Sequence, residues 1–555
     1  MSLFRTYCRV VLALPAWLTL LCVGGVHAAP PNAGSLLQEV KPAPGLPARG
    51  VGALPEEAVR PGMKLDAGVK IAVRRIHISG TRAFTEAELQ ALVADALGKE
   101  LTLAGVDDIV RRITRYYRDA GYLLARAYLP AQEIADGVVE IAVLEGRLGK
   151  LRIDNNSPLA DDRVARRLAD LNPGEAVEGA VLERSLLLLG DVPGVEVKST
   201  LRPGVSVGTT DLDVRLTTRA PYAGSLELDN HGNPYTGEWR LGGSFTAANL
   251  AGIGDSLALR ALVADGMRYG RLAWQLPVND AGTQAGAAYS DMRYELGKDF
   301  ADLKAHGTAG VGSLYLLHPV LRSRTTNLNA QLNYDNKRLT DDVDAIASRS
   351  IKKIGVWTLG LSGDRADSLG GGGLFQWSLA WSAGQLELDH TNRVLDALGH
   401  RTLGSYDKFA LYLSRQQRLT DALILSAKVQ AQRAGKNLDS SEKMSLGGPQ
   451  GVRAYPQGEA PADDAWLASL ELAWRFAPDL QASLFYDAAA GQLHHHPLAA
   501  DTTSTRRLAG TGLGFAWQRP GDITVQLGIA WRDGPAPTSA ADRSPRAWLQ
   551  AVKRF

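Results

Sequence analysis

The chain has 555 residues, with 61 Lys plus Arg against 59 Asp plus Glu, and its two cysteines are Cys8 and Cys22. Arg5 and Arg9 sit in a leader expected to be removed, so the mature balance is 59 against 59; no net positive field draws in phosphates, and a nucleic-acid partner is excluded. Both cysteines lie in the same leader, which leaves the mature protein without a disulfide, a thiolate nucleophile or a zinc–thiolate site.

Residues 1–28 have the three parts of a secretory signal: basic Arg5 and Arg9, an apolar stretch from Val10 to Val23, and Val26-His27-Ala28 before the expected cleavage. Export follows. Beyond Pro30 no run approaches the ~18 apolar residues of a spanning helix, so any membrane insertion of the mature chain must be as a closed β-barrel. Residues 29–70 are expected to form an exposed linker, because Pro30, Pro31, Pro42, Pro44, Pro47, Pro55 and Pro61 resist regular structure. Gly34 to Val40 is the one helix-compatible piece in it.

Residues 71–146 read as one α+β module. IAVRRIHI (Ile71 to Ile78) is a strand broken by Gly80, and Thr85 with Glu88 makes a capping box before the apolar set Leu89, Leu92, Val93, Ala96, Leu97. Val106, Ile109, Val110, Ile113 and Tyr117 give a second helix; Leu123 to Leu129 and Gly137 to Gly146 give two strands. Residues 147–219 repeat that β-α-α-β-β order: Leu148 to Ile153, helices near Asp161 to Leu171 and Glu178 to Leu189, then Gly194 to Leu201 and Thr210 to Thr218. This is an internal duplication at roughly 70-residue spacing.

From residue 220 to 555 the helical period gives way to strict alternation. Trp466, Ala468, Leu470, Leu472, Trp474 and Phe476 share one face, while Ser469, Glu471 and Arg475 lie on the other. Ile523 to Arg532 behaves alike, with Arg532 on the polar face. A soluble β-sandwich also alternates. Aromatic residues at the ends of the apolar faces point instead to a lipid-facing girdle around a polar lumen, and 336 residues at about 20 per strand with its connection give 16 strands. The fold class is therefore α+β modules followed by an all-β transmembrane barrel.

Three smaller signals are read as structural. Gly204 to Gly208 matches a nucleophile elbow but lies between strands, so a hairpin turn is expected. Gly370 to Gly373 lacks the Lys-Ser/Thr of a phosphate loop and is taken as another turn. His494, His495 and His496 are consecutive and cannot easily converge on one ion, so an exposed loop and no metal site are expected. No convergent polar site speaks for an enzyme, and no cofactor is implied.

The paired β-α-α-β-β modules resemble POTRA domains, the periplasmic polypeptide-binding modules of outer-membrane transporters. Ser445 to Ala460, SLGGPQGVRAYPQGEA, is too rich in Gly and Pro for a strand yet sits between barrel strands. Together these features resemble the TpsB-type transporters of two-partner secretion, the hemolysin activation/secretion family. In that family a Val-Arg-Gly-Tyr loop folds back into the barrel and its arginine pairs with the aspartate of a Phe-x-Asp-x-Gly strand. Here the loop reads Val452, Arg453, Ala454, Tyr455 and the strand Phe485, Tyr486, Asp487, Ala488, Ala489, with alanines at 454 and 489 in place of both glycines. Alternation independently turns Gln481, Ser483, Phe485 and Asp487 inward, and a lumenal carboxylate needs a partner, for which Arg453 is the candidate.

The resemblance implies an outer-membrane translocator with periplasmic modules. It would capture an unfolded exoprotein of the adhesin or cytolysin class and pass it to the cell surface, with Gly34 to Val40 as a removable plug helix. Its surroundings would be outer-membrane lipid and, during biogenesis, the barrel-assembly machinery, which reads the terminal Phe555 as its signal. The alternative is a barrel-assembly factor; two modules and a plug argue against it, since such factors usually carry more modules and no plug.

Overall fold

The computed structural model describes residues 30–40 and 70–555, apart from Leu123, Ala135, Val207 and Thr502. The expected signal segment and most of the Pro-rich linker lie outside the described residues. Among the described residues no helix is long and apolar enough to cross a membrane.

Helix α1 (Ala33–Val40) comes first. Module one follows as β1 (Lys70–Val73), β2 (Arg75–Ser79), α2 (Glu86–Val93), β3 (Lys99–Thr102), α3 (Leu103–Asp119), β4 (Arg126–Tyr128) and β5 (Val138–Leu144). The Thr85–Glu88 capping box is formed, with both reciprocal bonds in place. The apolar face of α3 (Val106, Ile109, Val110, Ile113, Tyr117) is buried against Ile76, Ile78, Ile141 and Val143 of the sheet. Module two contains β6 (Arg147–Asn156), α4 (Asp161–Arg167), α5 (Gly179–Gly190), β7 (Val195–Pro203) and β8 (Thr209–Thr218). The two sheets share one topology, β2-β5-β4 and β6-β8-β7: in each the first strand runs parallel to the last and the middle strand lies antiparallel on its far side.

Several boundaries differ from the sequence reading. The single strand expected from Ile71 to Ile78 is two strands parted at Arg74, because its first half pairs with the unforeseen β3, Ile71 opposite Leu101, while the second pairs with β5. Only Arg126–Tyr128 of the expected strand Leu123 to Leu129 joins the sheet. The helix expected near Asp161 to Leu171 stops at Arg167.

Sixteen antiparallel strands then close into a barrel, from Tyr222–Asp229 to Arg546–Arg554, which rules out the sandwich. The seam pairs Ser225–Asp229 with Gln550–Arg554, and Phe555 and Gly224 exchange backbone hydrogen bonds at 3.1 and 2.9 Å. Lys553 is bonded to Asp522 in the neighbouring turn, so its charge is held at the barrel rim. Trp466, Leu470, Trp474, Phe476, Leu484 and Tyr486 are exposed on the outer face, where lipid lies.

Module two is clamped to one end of the barrel. Arg322 donates to both oxygens of Asp191 at 2.7 and 2.8 Å, Arg324 pairs with Glu183, and Arg166 pairs with Asp280. That end is periplasmic, and the loops at the other end, among them residues 389–403, 435–463 and 493–504, are extracellular.

The lumen is not uniformly polar as the alternation implied. Ala33, Leu36, Leu37 and Val40, at the i, i+3, i+4, i+7 spacing of one helical face, are buried against inward-facing Leu262, Met292, Leu339, Ile354, Leu386 and Tyr406 of the wall. A polar wall would leave that face of α1 unpaired, so the lining turns apolar where the helix docks.

Candidate functional site: a loop and a helix inside the barrel

Residues 435–463 join the eleventh strand (Leu423–Ala434) to the twelfth (Asp464–Ala477). Their Gly- and Pro-rich stretch cannot sustain a ladder, and the loop doubles back through isolated bridges between Met444 and Ala462 and between Gly447 and Val452. Its apolar side chains Leu446, Val452 and Tyr455 are buried with Leu467, Phe485, Leu508 and Ala530 of the wall. Those wall residues face inward, so the loop tip lies within the lumen.

Arg453 is at that tip. Its Nε and one terminal nitrogen each donate to a different oxygen of Asp487 at 2.8 Å, and its backbone N–H donates to the same carboxylate at 3.1 Å. The other terminal nitrogen donates to Glu471 at 2.7 Å. Ser469 accepts from Arg453 at 3.2 Å and donates to Asp487 at 2.7 Å. The guanidinium carbon stands 3.3 Å from the centre of the Phe485 ring, which fixes the plane of the fork. Asp487 is 1% exposed and receives four donors, as a desolvated carboxylate requires. The remaining motif residues are also engaged: Tyr455 donates to the Pro535 carbonyl at 2.9 Å, and the Arg453 carbonyl accepts from Trp548 at 2.7 Å.

Alanine at position 454 is accommodated by glycine on the wall, while Ala489 stands between Leu467 and Leu508 on the adjoining strands. Gly510 stands opposite Asp487 on the adjoining strand, and a Cβ there would come 2.5 Å from the Ala454 Cβ; one at Gly512, opposite Phe485, would come 2.2 Å from that ring. The close approach is kept by taking the side chain off the wall instead of off the loop. Gly510→Ala is accordingly expected to lift the loop tip and lower secretion, and Ala454→Gly in the same chain to restore part of it, as measured by exoprotein released per assembled transporter.

Glu471 and Ser469 were not singled out by the sequence reading, although Trp466 to Phe476 already put both on the polar face. What was missing is register: Ser469 pairs with Asp487 and Glu471 with Phe485. A second set of anchors left no sequence signal. At the stem of the loop, Glu442 is bonded to Lys337 and to Lys408 (2.9 Å), and Asp439 to Lys352 (2.8 Å), each lysine rising from a different strand. Glu459 accepts from Arg506 at 2.7 Å and from the backbone N–H groups of Thr538 and Ser539, tying this loop to the last extracellular one.

The helix α1 rests on that stem. Asn32 and Ser35 cap each other at 3.0 Å, and Asp341 accepts from the Ala33 N–H at 2.7 Å, placing an anion at the helix N-terminus. Gly34 faces Ser440 and Ser441 so closely that a Cβ would lie 2.4 Å from the Ser440 hydroxyl. Ser440 donates to Asn32 at 2.7 Å, and the Gln38 amide donates to the Ser441 carbonyl.

At the other end of α1, Glu39 accepts from Asn233 at 2.9 Å, with Gly458 of the loop and Arg240 nearby. Desolvation pushes its carboxyl from 4.5 up to about 7, against the lowering effects of Asn233 and Arg240. The docked helix thus keeps a proton that the undocked helix gives up in water from about pH 4.5, so docking is strongest in acid and weakens as pH rises toward ~7. Conductance in planar bilayers is expected to be lower near pH ~5 than near pH ~7.5. Glu39→Gln should flatten the difference, and full pH dependence in that variant would contradict this account.

A closed sixteen-stranded barrel with POTRA modules at its periplasmic end and a loop laid back along its inner wall is the architecture of an outer-membrane transporter. Residues 208–517 match the family described as haemolysin secretion/activation protein ShlB/FhaC/HecB, and residues 71–146 match the POTRA domain of ShlB type; the chain belongs to the ShlB/FhaC/HecB family. It is 29% identical over 481 residues to the heme/hemopexin transporter protein HuxB of Haemophilus influenzae (strain 86-028NP), covering 84% of each. It is 25% identical over 505 residues to the outer membrane transporter CdiB of Escherichia coli, covering 86% of this chain and 83% of that protein. The solved structure of CdiB from Escherichia coli has the same fold, with a TM-score of 0.69 at 21% identity over 92% of this chain and 94% of that one.

Proposed function

We propose that this transporter captures one large exoprotein, unfolded, at its periplasmic modules and passes it through the barrel to the cell surface. The observation that carries this reading is the lumen: among the described residues its occupants are a loop and a separate helix, each held by polar bonds and an apolar patch, and neither is part of the wall. Both can be displaced without breaking a strand ladder. Among the described residues the modules also have sheet edges that no further strand covers, above all β7 in the second, to which an extended segment of the partner would add a strand; at the shorter edge β4 the Ala127 N–H is already taken by Thr114 at 3.0 Å.

In this reading α1 and residues 435–463 plug the resting channel, Arg453 and Asp487 hold the loop tip in its working position, and Phe555 is the residue read at assembly. Relatives named as transporters support a transport role, and the partner here is a secreted protein of the adhesin or cytolysin class. Nothing in the site performs chemistry on the cargo; progress comes from folding outside, which prevents backsliding. Deleting the gene should remove one large exoprotein from the medium and leave other outer-membrane proteins at normal levels. A general loss of outer-membrane proteins would instead favour a barrel-assembly factor.

A further inference from the structure

We propose that His400, His494 and Asp501 form a divalent transition-metal site of the zinc class on the extracellular rim, which staples loop 389–403 to loop 493–504. The three residues offer ligand atoms that all lie within 4.8 Å of one another. The sequence reading set the three consecutive histidines aside as unable to converge easily on one ion, and His495 faces Asp464 at 2.6 Å. It overlooked that His494 finds its companions elsewhere, and His494 and His495 are half-buried where an exposed loop was expected.

Three extracellular loops build the site. His400, two residues beyond helix α6 (His390–Leu398), places its Nε2 3.2 Å from Asp501, and its ring stacks on His494 with centroids 3.5 Å apart and planes 13° from parallel. Asn437, at the stem of the lumenal loop and 4% exposed, donates to the backbone carbonyls of both His400 and His496 and accepts from the His496 N–H. The backbones that carry the two histidines are therefore held together before any ion arrives. Asp501 is itself oriented by the Leu498 N–H at 2.9 Å.

The chemistry selects the ion. Two imidazoles and one carboxylate suit zinc and its neighbours, and leave a fourth position for water; calcium and magnesium prefer oxygen. Two imidazolium rings would repel at this separation. An ion bound between them takes neutral imidazoles as ligands, so its binding competes with protons. Zinc bonds of about 2.0–2.1 Å need ligand atoms about 3.3 Å apart, so the set must draw in and one ring must turn out of the stack. Lys443, whose ammonium lies 3.2 Å from His494 Nδ1, gives up that contact and keeps Asp463 at 3.1 Å.

The test is zinc titration by calorimetry on the full chain in detergent, purified without a polyhistidine tag. Heat-modifiable gel migration confirms the barrel in each variant. One ion per chain is expected, with affinity lowered about tenfold or more, or ~1.4 kcal/mol, in His400→Ala, His494→Ala and the near-isosteric Asp501→Asn. His495→Ala and His496→Ala should bind as the parent does. The proposal fails if the parent takes up no stoichiometric zinc. It fails equally if His495→Ala and His496→Ala lose as much as His494→Ala, which would mean chelation by the histidine run alone. Should His400→Ala not assemble, unchanged binding in Asp501→Asn is enough to overturn it.

Discussion

Arg453→Ala is expected to abolish secretion while the barrel still assembles. The substitution leaves Asp487, 1% exposed, with only the Ser469 hydroxyl and one backbone N–H, and frees the Phe485 ring face. Breaking a buried pair from one side costs about 3–5 kcal/mol, most of it in the charge left behind. The loop tip then keeps only backbone bonds to the wall, and without the fork the carbonyl offered to Trp548 is no longer fixed in place. Arg453→Lys should rescue little, because an ammonium cannot serve both Asp487 oxygens and Glu471 from one plane. Asp487→Asn should fail less severely, since the amide oxygen still accepts while its NH2 opposes the guanidinium. The measurement is exoprotein in the medium, with heat-modifiable migration as the control for assembly. Normal secretion by Arg453→Ala would remove the fork from the mechanism.

Glu442→Gln is expected to unplug the channel without touching α1. Glu442 is 3% exposed and neutralises both Lys337 and Lys408, so the amide leaves two lysines in the lumen with reduced compensation. The amide oxygen still accepts from one lysine, which keeps the penalty at the low end of ~3–5 kcal/mol. That energy sets the position of Ser440 and Ser441, on which α1 rests through Asn32, Gln38 and the close contact at Gly34. A loss of ~3 kcal/mol shifts a docked-to-undocked ratio by roughly two orders of magnitude. Planar-bilayer recordings should therefore show a large rise in open-channel current. Lys408→Met, which leaves Lys337 on Glu442, should change it much less. Equal currents in Glu442→Gln and the parent would show that the loop stem does not hold the helix.

The two effects separate the duties of one loop. Its tip is fixed by a cation on the loop and anions on the wall, Arg453 with Asp487 and Glu471; its stem is fixed by the reverse, Asp439 and Glu442 with three wall lysines. Opposite polarity at the two ends prevents the loop from sliding along the wall into a shifted register, since each end would then meet its own sign of charge.

What the sequence by itself determined was what local patterns encode. Period-two alternation located the barrel and put Phe485 and Asp487 inside it, because on a strand a residue's face depends only on its parity. The capping box at Thr85 and the apolar stripe of α3 are equally local, and both are formed. The family motif supplied Arg453, and its alanines at 454 and 489 were visible as departures. Tertiary structure decided everything that depends on register and on the meeting of distant segments. Gly510 opposite Asp487, Glu471 beside Arg453, the split of the first strand at Arg74 by its pairing with β3, and the three lysines that hold Glu442 and Asp439 all depend on segments that meet only in the folded chain. Alternation says which face a side chain occupies, whereas its height along the barrel is set by the hydrogen-bonded stagger of sixteen strands together. An apolar lumen patch under α1 was likewise beyond the pattern, because a single helix facing inward makes one part of a wet wall dry.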